Sequence, residues 1–313
     1  MKNVVVIGGG TGQSALLRGL KQVEDIQLST IVTMADDGGS TGRLRSDLHI
    51  PAMGDVRSVM MALAESESVM GTLMNYRFDN NSGSLAGQSL GNLILSALTK
   101  QSGNFAQAIA DLSRVLRVRG TIIPSTLNDV TLFARMTDGT EIEGEHNITE
   151  AHKRIQDVYY KQYVSAYPDT LVAIREADYI IIGLGSLYTS ILPNLIIGDI
   201  RDALVQAKAN TVYYCNCMTE EGETDGYTME DHVDTINRHL RPDFIDAVVV
   251  ADDPIPPDIM DNYVKEHAEA VAVRDAEHSY QVMQCSLLDY SSGKIRHDPA
   301  KVRDSFIRLM EEF

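Results

Sequence analysis

Tryptophan is absent from the 313 residues and phenylalanine occurs six times, so any broad stacking surface must come from the 13 tyrosines. Cysteine is scarce too. Cys215, Cys217 and Cys285 form an odd set without a CxxC pair, which excludes a disulfide framework and a cysteine-based structural zinc site. They read as reduced packing thiols of an intracellular chain. Positive charge is in deficit: 27 basic residues face 44 acidic ones, a net charge of −17. A nucleic-acid groove or an anionic membrane surface needs a basic face, so neither is expected as a partner. No run approaches the ~18 apolar residues of a spanning helix. The opening apolar run Val4–Ile7 stops at three glycines. The eight histidines make no HExxH or comparable spacing, so no transition metal is assigned. These absences predict a soluble, cytoplasmic protein.

What is present is ordinary globular composition, 44% apolar and 23% charged. No Pro/Gly/Ser linker or internal repeat divides the chain, so a single large domain, 1–313, is expected. Lys2–Ile7 reads as a buried parallel strand, followed by Gly8-Gly9-Gly10-Thr11-Gly12. A helix follows, with Leu16, Leu17, Leu20 and Val23 on one side, then a second strand, Leu28–Met34. Strand, helix, strand in that order is a βαβ unit, which implies a parallel sheet. Gly38–Gly54 reads as a polar loop, then Asp55–Glu65, Leu90–Thr99 and Phe105–Leu116 as helices. The turn Asp138-Gly139 between Val130–Arg135 and Glu141–Glu145 predicts a β-hairpin, taken as part of an insertion at about 117–165. The α/β rhythm then resumes with strands at Asp178–Ile182, Thr211–Cys215 and Ala247–Ala251. Helices are expected at Leu187–Leu192, Asp199–Ala207, Met229–Leu240 and Pro299–Met310, the first stopped near Pro193. The fold class is α/β, Rossmann-like: a mostly parallel sheet flanked by helices, with a small added β-hairpin.

The first turn carries the chemistry. Glycines between a buried strand and a helix let the main chain approach a phosphate, while the helix N-terminus offers free N–H groups and partial positive charge. The run matches neither GxGxxG, whose last position falls on Gln13, nor a Walker loop. Asp36-Asp37 stands where the second strand leaves the sheet, a position that can bond a ribose or hold Mg2+. The segment after it, with Ser40 and Arg43, suits a mobile loop folding over a diphosphate. Asp55 either caps a helix or adds a third carboxylate able to bind metal or act as a base. Gly183-Leu184-Gly185-Ser186-Leu187 repeats the strand–glycine–helix theme, with Ser186 as N-cap or crevice hydroxyl. Asn216 and Thr219 sit where a base or sugar could be read, whereas the Glu-rich stretch after them reads as a solvated turn. Lys294, Arg296 and His297 are a local basic cluster, either a phosphate clamp or surface ion pairs.

The stretches VVVIGGGTG, TMADDGGSTGRLR, GDVR, QSLGNLIL, GLGSLYTSILPNL and NCMTEEGETDGY occur in this order over nearly the whole chain. Together they resemble the gluconeogenesis-factor family (YvcK-type), in the superfamily that includes the 2-phospho-L-lactate transferases. The resemblance implies a Rossmann-like, cytoplasmic protein needed for cell shape during gluconeogenic growth, binding a UDP-sugar or an NAD-like ligand. Residue by residue it matches Gly9, Gly10, Thr11, Gly12, Asp37, Gly185, Ser186, Leu187 and Asn216, and the expected nucleotide site adds Asp36, Ser40, Arg43, Asn92, Thr219 and Arg296 to these. In the transferase branch, a phospholactyl group moves from a guanosine diphosphate donor to a deazaflavin alcohol with Mg2+, and Asp37 and Asp55 match its acidic positions as catalytic or metal candidates. Two features depart from the relatives: Gln88 stands where many carry His, and Gly38-Gly39-Ser40 where transferases carry bulkier apolar residues. A deazaflavin ring would find no stacking surface there. The expected partner is a nucleotide or nucleotide-sugar; homo-oligomerisation and a protein partner are left open.

Overall fold

The computed structural model describes residues 1–65 and 69–312. Seven strands form its central sheet, and every pairing in it is parallel. The first three are β1 (Lys2–Gly8), β2 (Ile26–Val32) and β3 (Thr121–Pro124). A smaller antiparallel sheet contains β4 (Phe133–Met136), β5 (Glu141–Glu143) and β6 (Ile155–Tyr159). The central sheet resumes with β7 (Tyr179–Gly183), β8 (Asn210–Tyr214), β9 (Ala247–Ala251) and β10 (Gln281–Cys285). The spatial order is β10-β9-β8-β7-β1-β2-β3. From β1 the chain therefore builds outward one way through β2 and β3, then returns to β7 and builds the other way. Between β1 and β7 the order reverses, and open α/β sheets bind ligands at the carboxyl ends of the strands flanking such a point.

The sequence explains the central strands directly. Val4–Ile7 and Ile180–Ile182 are buried on both faces, as parallel strands under helical layers must be. Helix α1 (Gly10–Leu20) packs Leu16, Leu17 and Leu20 into the core. Against it lie helix α3 (Gly54–Leu63) and the C-terminal helix Pro299–Glu312. Among the described residues no helix is long and apolar enough to cross a membrane.

Four expectations need correction. The stretch read as a loop after Asp37 contains helix α2 (Gly39–Leu48), which buries Ser40, Thr41 and Leu44. The small β element has three strands rather than two, and Thr121–Pro124, placed in the insertion, is β3 of the central sheet. Pro193 does not stop a helix. A π-helical turn, Leu187–Ile191, runs into the short helix Leu192–Leu195, and the proline occupies that helix's first turn, where its missing N–H costs nothing. The Glu-rich stretch after Thr219 is not uniformly solvated, since Glu223 is only 3% exposed.

Candidate functional site

The carboxyl ends of β1 and β7 carry the two glycine turns. Gly9, extended, precedes α1 and has no side chain to cap it. Gly10 follows at φ +66°, a left-handed conformation that glycine adopts without strain. Gly185 lies across the crevice at φ +138°, and Asn216 at the end of β8 pins it: its Nδ2 donates to the Gly185 carbonyl at 2.8 Å and its Oδ1 accepts from the Gly185 N–H at 3.3 Å. Beneath β1, the buried Asn194 amide donates to the Gly8 carbonyl at 3.1 Å and to Ser190 O at 2.9 Å, tying the first turn to the second. These ties hold two bare main-chain turns face to face.

Between them opens a cavity of about 710 Å3. Gly10, Thr11 and Gly12 form one wall, and Gly185 and Ser186 a second. Asn216, Thr219 and Arg296 also line it. Ser186 serves both readings the sequence allows: it caps the π-turn by accepting from the Thr189 N–H at 3.0 Å, and its hydroxyl donates to Glu223. Thr219 faces the cavity while its main chain and hydroxyl bond the Glu269 backbone, each at 2.8 Å.

Other candidates sit elsewhere. Leu187 is buried core. Ser40, on α2, donates to Gln88 Oε1 at 2.6 Å and accepts from the Ser89 N–H and Asn92 Nδ2, both at 3.2 Å, so Ser40 and Asn92 belong to one buried polar network. Arg43 donates to the Ala86 carbonyl at 2.8 Å. The mobile, diphosphate-covering loop expected around these residues is instead this packed helix. Asp37 accepts from the His146 N–H at 2.9 Å, which anchors the first turn of the helix Glu145–Glu150. Asp55 lies under the first turn: its Oδ2 is 2.6 Å from where a Cβ on Gly9 would stand. Asp36 Oδ2 is correspondingly close to Gly54, the residue before Asp55.

The crevice is strongly acidic. Burial, then the Asp36 charge, pushes the Asp55 carboxyl up to about 7, although the Gly10 main chain and Arg57 oppose the rise. Burial also raises Asp36. Glu145 and Glu223, both in the cavity wall, are pushed up to about 8, first by burial, then by neighbouring carboxylates. Among the described residues no group of three or more His, Cys, Asp or Glu side chains is placed to hold a metal ion. Mg2+ makes a smaller demand, one or two carboxylates with water and phosphate oxygens completing its shell; Asp36 and Asp55, near enough for the charge of one to raise the other, are the carboxylate pair beside the first turn, and neither lines the cavity.

The family model for 2-phospho-L-lactate transferase CofD matches residues 4–289. A protein of Halalkalibacterium halodurans named gluconeogenesis factor is 44% identical over 312 residues, covering 98% of this chain and 96% of its own. One of Bacillus subtilis with the same name is 44% identical over 314 residues, covering 99% and 98%. The chain belongs to the gluconeogenesis-factor family. A crystal structure of a family member from Bacillus halodurans superposes with a TM-score of 0.93 at 43% identity, over 98% of this chain and 99% of that one. The two share one α/β, Rossmann-like fold.

Several wall residues escaped sequence reasoning. Glu145 begins a short helix in the inserted element, and Glu223 lies in a turn. Glu145 follows Gly144 and Glu223 stands between Gly222 and Thr224, so no apolar periodicity marks them. The one usable signal was the basic cluster around Arg296, which brought His297 into view.

Proposed function

We propose that this member of the gluconeogenesis-factor family binds a nucleotide-sugar, such as a UDP-sugar, or a similar dinucleotide-type ligand in the crevice, and acts through binding rather than turnover. The observation that carries the reading is the main-chain cradle: Gly10, Thr11 and Gly12 open an eleven-residue helix at the mouth of the cavity. Helix N–H groups and the helix dipole favour an anion there without any net positive charge on the protein. A diphosphate so held gains several charge-assisted hydrogen bonds worth about 1.5–3 kcal/mol each. Arg296, on the cavity wall, adds the cation the cradle lacks. Sugar and base then lie among Asn216, Thr219 and Ser186. We assign the protein to the cytoplasm and to the maintenance of cell shape during growth on gluconeogenic carbon.

Gly10→Asp tests the cradle. A Cβ at Gly10 would meet only Ser190 Oγ, at 3.6 Å, so the variant has room to fold despite the positive φ. Its carboxylate would stand where the diphosphate charge must sit. Calorimetry with UDP-N-acetylglucosamine is expected to show at least ~100-fold weaker binding, the loss of two or more such hydrogen bonds. Wild-type affinity in a folded variant would remove the loop from the site.

The buried Asp36–Asp55 pair favours a second reading, a Mg2+-dependent transferase of the 2-phospho-L-lactate type acting on a nucleoside diphosphate conjugate. Asp55 and Asp36 would hold the ion, and Mg2+ would supply charge neutralisation while an acceptor hydroxyl oxygen bonds to phosphorus, its bond to the nucleotide leaving group breaks and the hydroxyl proton is lost to solvent. Under that reading Asp55→Asn loses phosphoryl-conjugate turnover, followed by phosphorus NMR, while donor affinity persists. Absence of turnover in the wild-type chain with Mg2+ and hydroxyl acceptors leaves the binding reading.

A further inference from the structure

A second cavity, of about 430 Å3, lies where the inserted antiparallel sheet meets the helix Met229–His239. Arg154, at the entry to β6, lines it with Tyr227 from the turn before the helix and Asp231, Asp234 and Arg238 on the helix. None of these residues lines the crevice. Neither arginine has a carboxylate partner, in a chain where 44 acidic residues face 27 basic ones. The Arg154 guanidinium makes no hydrogen bond or ion pair among the described residues, and that of Arg238 donates only to the Thr235 hydroxyl, at 3.0 Å. The acids nearby are unequal. Asp231 is fully engaged: its Oδ2 accepts from the Thr228 N–H at 2.9 Å and hydroxyl at 3.0 Å, and its Oδ1 from Arg274 at 2.6 Å. Asp157 accepts from His239 Nε2 at 3.0 Å, and that bond, with Arg238 as a smaller influence, holds its carboxyl below the ordinary value. The Asp234 carboxylate is exposed and has no hydrogen bond or ion pair among the described residues. Two guanidinium groups and one carboxylate therefore stand uncommitted around one pocket.

We propose that this pocket binds a sugar phosphate and, in doing so, ties the inserted element to the main domain. Arg154 and Arg238 take the phosphate. Two guanidinium forks carried by different elements suit a tetrahedral monoester, which presents three acceptor oxygens. Asp234 can only accept, so it selects a ligand that brings hydroxyl donors and disfavours one with a second phosphate. The Tyr227 hydroxyl, paired with that of Tyr188 at 2.8 Å, adds a further polar group to the wall. Two short segments connect this pocket to the crevice. His152 lines the crevice just before Arg154, and Glu223 lines it just before Tyr227. The Ile155 N–H already joins the two segments by donating to the Gly222 carbonyl at 3.2 Å. A ligand gripped by Arg154 and Arg238 would hold them together more firmly. The site does not depend on what the crevice binds.

The test is calorimetry on the full chain, free of nucleotide, with glucose 6-phosphate, fructose 6-phosphate and inorganic phosphate. At least one sugar phosphate is expected to bind, with inorganic phosphate at least ~10-fold weaker for want of the hydroxyl contacts. Arg154→Ala and Arg238→Ala should each weaken the sugar phosphate by ~10- to 100-fold, the loss of charge-assisted hydrogen bonds. Asp234→Ala should weaken it too, while leaving inorganic phosphate no weaker. All three side chains are exposed, so unfolding midpoints should stay near wild type. Saturating sugar phosphate should also slow hydrogen exchange at the Ile155 amide. Failure of both sugar phosphates to bind the wild-type chain overturns the assignment, as does wild-type affinity in either arginine variant. Equal affinity for inorganic phosphate overturns it by reducing the site to a patch for any anion. Loss of binding in Gly10→Asp overturns it by placing the ligand in the crevice instead. Unchanged exchange at Ile155 in the bound protein overturns the tie between the two elements.

Discussion

One methyl group added at Gly12 should disable the crevice and loosen the fold around it. A Cβ there would stand 2.4 Å from the Gly185 nitrogen and the Leu184 carbonyl carbon, and 2.6 Å from the Leu184 oxygen. All three are main-chain atoms, so no rotamer change relieves the clash. The turn they belong to cannot retreat freely either, since Asn216 holds Gly185 through two hydrogen bonds and Leu184 already sits at φ +34°. Overpacking a rigid interior costs about 1–3 kcal/mol, and breaking the Asn216 ties adds to it. Gly12→Ala is therefore expected to lose roughly 3 kcal/mol, about 5 °C in unfolding midpoint for a chain of this length. Nucleotide binding should fall below detection, because the two turns that form opposite walls of the cavity are forced apart. Gly10→Ala is the control: its Cβ would meet only Ser190 Oγ, at an ordinary 3.6 Å, and only the left-handed backbone costs about 1–2 kcal/mol. A Gly12→Ala chain with wild-type midpoint and wild-type affinity would mean that the turns are not in contact as described.

The contrast between these two glycines shows what sequence can and cannot carry. The GGGTG run, the strand before it and the helix after it were legible because buried parallel strands are continuous apolar runs and the turn chemistry is local. The same reasoning located β9 at Ala247–Ala251. It missed β10, Gln281–Cys285, an edge strand whose polar and half-exposed residues break the pattern. It read α2 as a loop because Gly-Ser-Thr-Gly has poor helix propensity. That helix is held from outside: Ser40 bonds Gln88 and Asn92, and the Arg45 guanidinium donates to the carbonyls of Asp36 and Val130. Asp55 was visible as a candidate because it opens a helix. That Gly9 had to be glycine beside it was not, since the two residues meet only through the sheet.

The acidity of the crevice gives the second large effect, and Glu145 fixes its sign. In the unfolded chain this carboxyl ionises near its ordinary 4.5; in the folded protein burial, then Asp36, Asp55, Asp37 and Glu223, hold it at about 8. The folded state thus binds the extra proton between these values. Its contribution to stability is fully present below the unfolded pKa and is lost as pH rises through about 8. A tenfold difference in proton affinity between the two states corresponds to about 1.4 kcal/mol. Glu145→Gln keeps the shape of the protonated acid and removes its titration. The variant should match wild type near pH 5 and exceed it by about 2–4 kcal/mol at pH 8.5. Part of the wild-type pH slope will persist, because Glu223 and Asp55 are raised in the same direction. Ligand binding follows the same sign. A diphosphate in the cradle adds negative charge beside Glu145, raises its pKa further and takes up protons, so wild-type affinity should fall as pH rises from 6 to 9. In Glu145→Gln that fall should be shallower, with fewer protons taken up when calorimetry is repeated in buffers of different ionisation enthalpy. An identical pH dependence of unfolding in the two proteins would show that Glu145 is ionised and solvated in the folded state, contrary to its place in the cavity wall.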